Sequence, residues 1–537
     1  MERVLQIYSG VSRAITGEAQ VNQSSCIEPL RSRYVVKKMR WKHLCMKEIQ
    51  RSGSSISFEY PVFLIVEGTE PEQKEPEEFH CLFKISQNVN EYNAVANTLL
   101  WNGLRRSDKR ELCNLFWSKP LKAYASLWKM PFQRVNHFPG SSAIANKSKM
   151  ALHINAKTKE LGEEVFSIIP ETFLLPSNHE KAVSAMEADP SALWIWKPSS
   201  GSCGKGISIL SHGSALPDQA KGPSVLSRYI PNPLLINGYK FDLRLYVVVT
   251  SFDPLRIYLH DDGLVRFSTK PYSNSTDSLN DLKVHLTNYS VNKQTGLFQG
   301  VFGTDGDGEE GIECNQGSKW SVQGLFDYLS KEMGVDVGVL QHNINDLIVK
   351  SLIAVENSII KASALANCPR YSCFELYGFD VLIDQELNTW LLEVNMLPSL
   401  SSSSQLDKAV KTCLMADLFS LVRIPAVDPF RWTHSPDYCT LVQCPTTSEQ
   451  RQSDLEQLKK QTILDKQYLL RNRDDQLLLM ELSEEFQARK HFNRIFPVTS
   501  QSQQSKYSEL FTEKRYYNIL QDKFLQLDAE DQKALIH

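Results

Sequence analysis

Asp380, Glu393 and Asn395 are the side chains of this 537-residue chain whose types and spacing best suit a bound cation. Asp380 lies in the run Phe374-Glu375-Leu376-Tyr377-Gly378-Phe379-Asp380-Val381-Leu382-Ile383-Asp384. The other two close the run Trp390-Leu391-Leu392-Glu393-Val394-Asn395. Both runs read as apolar β-strands carrying an acid or amide where an all-core strand would have none. Residues two apart on a strand share a face, so Glu393 and Asn395 look out together. If the strands are neighbours, Asp380 joins them and three oxygen ligands face one cavity. That set suits Mg²⁺, which takes one or two carboxylates and completes its shell with water and substrate phosphates. The pattern also fits a buried acid pair satisfied by Arg or by backbone, because a buried charge needs some partner.

Cationic candidates lie upstream. Lys197 ends an apolar run and is followed by Gly201-Ser202-Cys203-Gly204-Lys205-Gly206, where small residues would let backbone N–H groups approach phosphate. No G-K-S/T enters a helix here, so this is not a Walker motif, and an ordinary glycine turn would look the same. Lys240, Asp242 and Arg244 alternate with Phe241, Leu243 and Leu245, which puts the three charges on one strand face, either solvated or lining a site. Arg228-Tyr229-Ile230-Pro231-Asn232-Pro233 reads as a strand ending in a Pro-rigidified hinge. Arg266 sits on a further strand. The run from His285 to Lys293 has too few apolar residues to be core.

The elements that must position these groups are legible between residues 171 and 397. Strands are expected at 194–196, 206–210, 225–230, 241–250, 256–259 and 264–268. Ile344, Leu347, Ile348, Leu352, Val355 and Ile359 recur at helical spacing and predict a long core-facing helix over 338–366. Residues 1–95 are weakly patterned, with a strand expected at Val62–Val66 and an acidic loop at Pro71–Glu78. Gly296–Gly317 reads as a surface loop. Beyond about residue 430 the composition turns to Gln, Glu, Lys and Leu with few strand signals, and residues 451–537 hold fourteen Lys or Arg against fourteen Asp or Glu. With 42% hydrophobic and 23% charged residues the chain has the composition of a soluble globular protein with room for about three domains. A net charge of −3 gives no reason to expect nucleic acid as a partner. Eleven cysteines without C-x-x-C pairs read as reduced thiols. No apolar run approaches the roughly 18 residues of a membrane span. The expectation is a cytoplasmic protein.

The blocks Val135-Asn136-His137-Phe138-Pro139-Gly140, Ser227-Arg228-Tyr229-Ile230 through Asp242-Leu243-Arg244, Val284-His285-Leu286-Thr287-Asn288-Tyr289-Ser290-Val291-Asn292-Lys293 and the two acid strands resemble the tubulin-tyrosine-ligase-like family. Within that family they are most similar to the tubulin polyglutamylases. The resemblance covers about residues 100–425. It implies an α+β chain with an ATP-grasp fold, two α+β lobes closing on ATP, preceded by an N-terminal lobe and followed by a mostly helical extension. The corresponding division is 1–95, 96–170 for the N-terminal lobe, 171–425 for the ATP-grasp lobes and 426–537 for the extension, which would contact microtubules.

Carried over position by position, the resemblance implies that Lys147, Lys197, Gly204, Lys205 and Gly206 hold the ATP phosphates. It puts adenine at the hinge backbone of Arg228, Tyr229 and Ile230, with Lys240 nearby and Asp242 on the ribose. Arg244, Asn288 and Lys293 would serve the reacting groups, and Arg266 the carboxylate of the incoming amino acid. Asp380, Glu393 and Asn395 would hold Mg²⁺. Two positions depart from close polyglutamylases: Cys203 stands where they carry Arg, and Leu397 where they carry Ser. The implied reaction adds L-glutamate to glutamate side chains in acidic tubulin tails through an acyl-phosphate. Ser227-Arg228 resembles enzymes that start such a chain rather than elongate it. Alternatives are a ligase of the same family adding glycine, one modifying another acidic protein, or an inactive microtubule-binding protein. The implied setting is a monomer on the cytoskeleton, including the cilium or basal body, without membrane or nucleic acid.

Overall fold

The computed structural model describes residues 80–130, 132–201, 204–217, 222–275, 278–288, 319–402, 404–427, 448–460 and 473–536. The strands expected at Val62–Val66, the loops at Pro71–Glu78 and Gly296–Gly317, and residues Cys203 and Lys293 lie outside these.

One 14-residue strand, Tyr239–Phe252, organises the largest sheet. Its alternation explains both faces. Phe241, Leu243, Leu245, Val247 and Val249 point into the main core. On the other face Lys240, Asp242 and Arg244 come first, and Tyr246 and Val248 follow within a second apolar cluster. The strand therefore changes environment at Arg244, from polar cleft to core. One edge pairs with Leu264–Phe267 and then with Leu255–His260, while the other pairs antiparallel with Glu375–Ile383. Glu375–Ile383 pairs in turn with Thr389–Asn395.

A second, antiparallel sheet runs in the order Thr172–Leu175, Ser224–Arg228, Trp194–Pro198, Ser208–Leu210. Trp194 and Trp196 pack in its outer cluster with Met186 and Leu226. Ile195 and Lys197 consequently face the opposite way, toward the large sheet. The cleft lies between the two sheets.

The expected helix spans Val337–Leu365 and buries all six residues of the predicted stripe. Asp336 caps it, its side chain accepting from the backbone N–H groups of Gly338 and Val339. Gly140 seats the Asn136–Gly140 loop on this helix: its φ is +79°, and a Cβ there would stand 2.7 Å from that of Ala362. The same loop satisfies a buried acid. Glu375 accepts from the backbone N–H of Phe138 at 2.9 Å and from the Ser141 hydroxyl, and it meets the His137 ring.

Two parts of the chain are joined to the fold more closely than their sequences suggest. Leu82–Ile85, within the span set apart as 1–95, pairs in parallel with Leu115–Trp117 in a four-stranded sheet. Four residues are too few to give a periodic signal. The extension over 426–537 is not helical throughout: Phe492–Phe496 pairs antiparallel with Leu255–His260 and so belongs to the large sheet. Phe496, Tyr507 and Leu510 are part of the main core. Helix Arg473–Ala488 lays Glu481 and Glu485 against the buried guanidinium of Arg256 at 3.0 and 2.9 Å. Among the described residues no helix is long and apolar enough to cross a membrane.

Candidate active site

The acid strands are neighbours, and their register sets Asp380 opposite Glu393 and Gly378 opposite Asn395. A bulge after Asp380 leaves Leu392 as the extra residue, since Val381 pairs with Leu391. Such a bulge re-aims the side chains beside it. Asn395 Nδ2 comes within 3.3 Å of Glu393 Oε1 and 3.5 Å of Asp380 Oδ2, so the three groups converge.

Cations crowd this point. Arg244 donates to both oxygens of Asp380, Nε to Oδ1 at 2.6 Å and Nη2 to Oδ2 at 3.1 Å. Arg266 Nη2 stands 2.9 Å from Asp380 Oδ2. Burial pushes the Asp380 carboxyl up, but the adjacent Arg244 and Arg266 outweigh it and hold the group well below the usual carboxylate range. Lys147, the first residue of helix Lys147–Leu161, reaches Glu393 Oε2 at 2.9 Å and the Gly201 carbonyl at 3.2 Å. It thereby links the glycine turn to the acid strands. Gly204 and Gly206 of that turn have φ of +71° and +74°, values that other residues adopt only with strain.

The side chains fit Mg²⁺ by donor type: two carboxylates and an amide on neighbouring strands at the cleft, with Asp380 kept ionised by its arginines. Both Asp380 oxygens are engaged by guanidinium groups, Oδ1 by Arg244 and Oδ2 by Arg244 and Arg266, so a cation would meet this carboxylate through the lone pairs those bonds leave. Of the two readings of the sequence, the Arg-paired buried acid is the one the structure displays at Asp380.

Glycine creates the room for this pairing. A Cβ at Gly378 would lie 2.9 Å from Pro398 Cβ, 3.1 Å from Arg244 Cδ and 3.2 Å from Arg244 Nε. Only a bare backbone lets the Arg244 side chain cross the strand to Asp380.

The cleft, its open mouth included, spans about 1170 Å³. It is lined by Lys147, Lys197, Gly204, Lys205, Arg228, Tyr229, Ile230, Lys240, Asp242, Arg266, Asn288, Asp380 and Glu393. Arg244, Gly206 and Asn395 stand just behind this lining. Two lysines there are desolvated. Burial lowers Lys197 to about 8, opposed by Glu393 and reinforced by Lys147. Burial lowers Lys240 to about 7 against the pull of Asp242. Both hold their protons less firmly than an exposed lysine, and a bound anion would strengthen that hold.

Several expected roles take a definite form. The Arg228 side chain turns outward to Glu171 and Asp189 at 3.0 and 2.8 Å, so only its backbone belongs to the hinge. The N–H groups of Arg228 and Tyr229 already donate to Glu171 and Leu193. Arg266 presents its Nε–Nη2 edge to Asp242 and its Nη2 also to Asp380, which leaves Nη1 as its remaining donor nitrogen. Asp242 accordingly reaches the cleft as a paired carboxylate. Sequence reasoning missed the apolar wall of Ile169, Ile195, Leu382 and Leu391, because a cleft-lining aliphatic residue reads like core. Thr287, beside Asn288, was findable from the polar run. Leu397 lines a separate hollow of about 660 Å³ with Trp117, Lys119 and Asn136.

Paired acids, clustered cations and an apolar wall surround one cleft of a mixed α and β protein. The chain belongs to the tubulin-tyrosine ligase family, whose sequence profile matches residues 126–430. It is 35% identical over 422 residues to the human protein named tubulin monoglutamylase TTLL4, covering 75% of this chain and 34% of that one. It is 39% identical over 321 residues to mouse tubulin polyglutamylase TTLL5, covering 60% and 23%. With tubulin polyglutamylase ttll-4 of Caenorhabditis elegans it shares 33% identity over 432 residues, covering 78% and 68%. The chain thus spans about a third or less of the two mammalian relatives.

Proposed function

We propose that this chain is an ATP- and Mg²⁺-dependent ligase of ATP-grasp type that adds glutamate to glutamate side chains in the acidic tails of tubulin. The observation that carries the reading is the convergence of Asp380, Glu393 and Asn395 with Arg244, Arg266, Lys147 and Lys197 in one cleft. The names of the relatives point the same way, and the monoglutamylase among them favours chain initiation.

A carboxylate is a poor electrophile and must be activated before an amine can displace its oxygen. Transfer of the γ-phosphoryl group of ATP to the acceptor carboxylate gives an acyl-phosphate and ADP, and attack by the glutamate amine then releases phosphate. The first step brings two anions together, so fixed cations along their path supply the stabilisation. Lys197 and Lys147 line the phosphate end, where their charges oppose that repulsion. Arg244 holds Asp380 in place, and Asn288 lines the cleft. Asp380, Glu393 and Asn395 would hold Mg²⁺, which when bound neutralises phosphoryl charge as a Lewis acid. Ile169, Ile195, Leu382 and Leu391 provide the dry surface against which a base can stack. Nη1 of Arg266 offers one contact to the incoming α-carboxylate.

Incubation of the protein with tubulin, ATP, Mg²⁺ and single amino acids, followed by mass measurement of the tails, tests the reading. Addition of glutamate residues is expected. Exclusive addition of glycine, or no ATP-dependent mass gain on any acidic acceptor, overturns it.

A further inference from the structure

The polar run from His285 has an apolar neighbourhood that its sequence does not explain. Tyr229, Leu279 and Leu286 form a small cluster under the hinge, and His285 is buried beside them. His285 Nε2 lies 3.0 Å from the Ser278 carbonyl oxygen. A carbonyl only accepts, so Nε2 carries a proton. Burial lowers the pKa of His285, and the neutral ring therefore has a bare Nδ1. Tyr229 Oη is 2.9 Å from that Nδ1 and must donate to it. With its proton committed, the phenol oxygen is left as an acceptor, and Lys240 Nζ donates to it at 2.9 Å. Each link fixes the direction of the next.

We infer that His285 is a positioning residue for nucleotide binding: through Tyr229 it aims the Lys240 ammonium into the cleft. Among the described residues Asp242 acts on Lys240 through its charge, without a hydrogen bond to Nζ, so it does not replace Tyr229 as the orienting acceptor. An ammonium has three N–H directions, and fixing one limits where the other two point. The Lys240 charge also sits 4.5 Å from the Tyr229 ring centre and 5.7 Å from that of Tyr272, contacts that favour the protonated form. Tyr272 is itself anchored through its hydroxyl to the Pro231 carbonyl at 2.8 Å. This inference rests on the proposal that the cleft binds ATP.

The test is a double-mutant cycle on the full chain, read by calorimetric affinity for a non-hydrolysable ATP analogue and by steady-state kinetics. A hydrogen bond to a charged group changes an equilibrium by about tenfold or more. Tyr229→Phe and His285→Leu are each expected to weaken analogue binding about tenfold and to raise the ATP KM, with kcat at saturating ATP changed less than about threefold. Because both act through Lys240, the double variant should be no weaker than either alone. His285→Asn, whose amide oxygen can accept where Nδ1 did, should recover most of the affinity. Thermal unfolding confirms that each variant is folded. Additive losses, or analogue binding unchanged in folded Tyr229→Phe, overturn the relay while leaving the ligase proposal standing. Failure of the unaltered protein to bind the analogue overturns both.

Discussion

At the scale of single residues, Glu393 faces two ways, toward the converging acids and toward Lys147. Glu393→Gln keeps its shape and removes the charge that both features require. We expect turnover to fall on the order of a hundredfold or more, since a metal acting on phosphoryl oxygens supplies several kcal/mol, with the melting temperature little changed. Near-normal kcat at saturating Mg²⁺ would refute the assignment. The two desolvated lysines make a separate prediction about pH. In the free protein Lys240 titrates at about 7 and Lys197 at about 8. Bound phosphates favour the ammonium forms and raise both values. Affinity for ATP is therefore greatest below pH 7 and declines as pH rises through 7 and 8, because binding must then recruit protons. Calorimetry at pH 8 in buffers of different ionisation enthalpy should detect net proton uptake, and none should appear once both lysines are replaced by Met. The pairing of charge with strand alternation made Lys240, Asp242 and Arg244 legible in advance. What alternation could not reveal is that Arg266 pairs with Asp242, because cross-strand register depends on which strands are adjacent.

At the scale of elements, Gly378 and Gly140 show how backbone approach sets the site. Gly378→Ala inserts a methyl between Arg244 and Pro398, where the shortest contact would be 2.9 Å. Overpacking of this kind typically costs about 1–3 kcal/mol. We expect a modest loss of stability and a much larger loss of kcat, measured on the same preparation, because Arg244 must leave Asp380. An alanine variant with normal kcat would separate this pairing from the chemistry. Long, strongly patterned elements were readable: the helix Val337–Leu365 and the acid strands differ little from their expected bounds. Short ones were not. Phe492–Phe496 carries Phe492, Ile495 and Phe496 out of strict alternation and interleaves them with Asn493 and Arg494, so its sequence resembles a charged loop. Its pairing with Leu255–His260 changes what removal of residues 431–537 does. A bare tubulin contact would leave nucleotide binding untouched when deleted. Here deletion strips Glu481 and Glu485 from buried Arg256, and leaving one such charge unpaired costs about 3–5 kcal/mol. We expect the truncated chain to be insoluble or to lose ATP binding, whereas a soluble, ATP-binding product would show the tail to be dispensable for the fold.

For the molecule as a whole, a net charge of −3 means that a ligase of the proposed kind must attract its acidic acceptor through a local basic surface. A disordered acidic segment buries little apolar area, so its capture is largely electrostatic. Screening shortens from about 10 Å at 0.1 M salt to about 3 Å at 1 M. Raising salt should therefore increase the KM for tubulin several-fold while the KM for ATP, in its enclosed site, moves much less. Equal sensitivity of both would count against this form of capture. The sheet edge closed by Phe492–Phe496 also bears on how the protein is made. His260 and its partner Phe492 are 232 residues apart in the chain. At about 5–20 residues per second, ribosomes need roughly 10–50 s to cover that interval. Throughout it the edge strand of the nascent sheet is bare, and bare edges recruit other strands. That edge is therefore open to mispairing with other chains until Phe492–Phe496 has emerged.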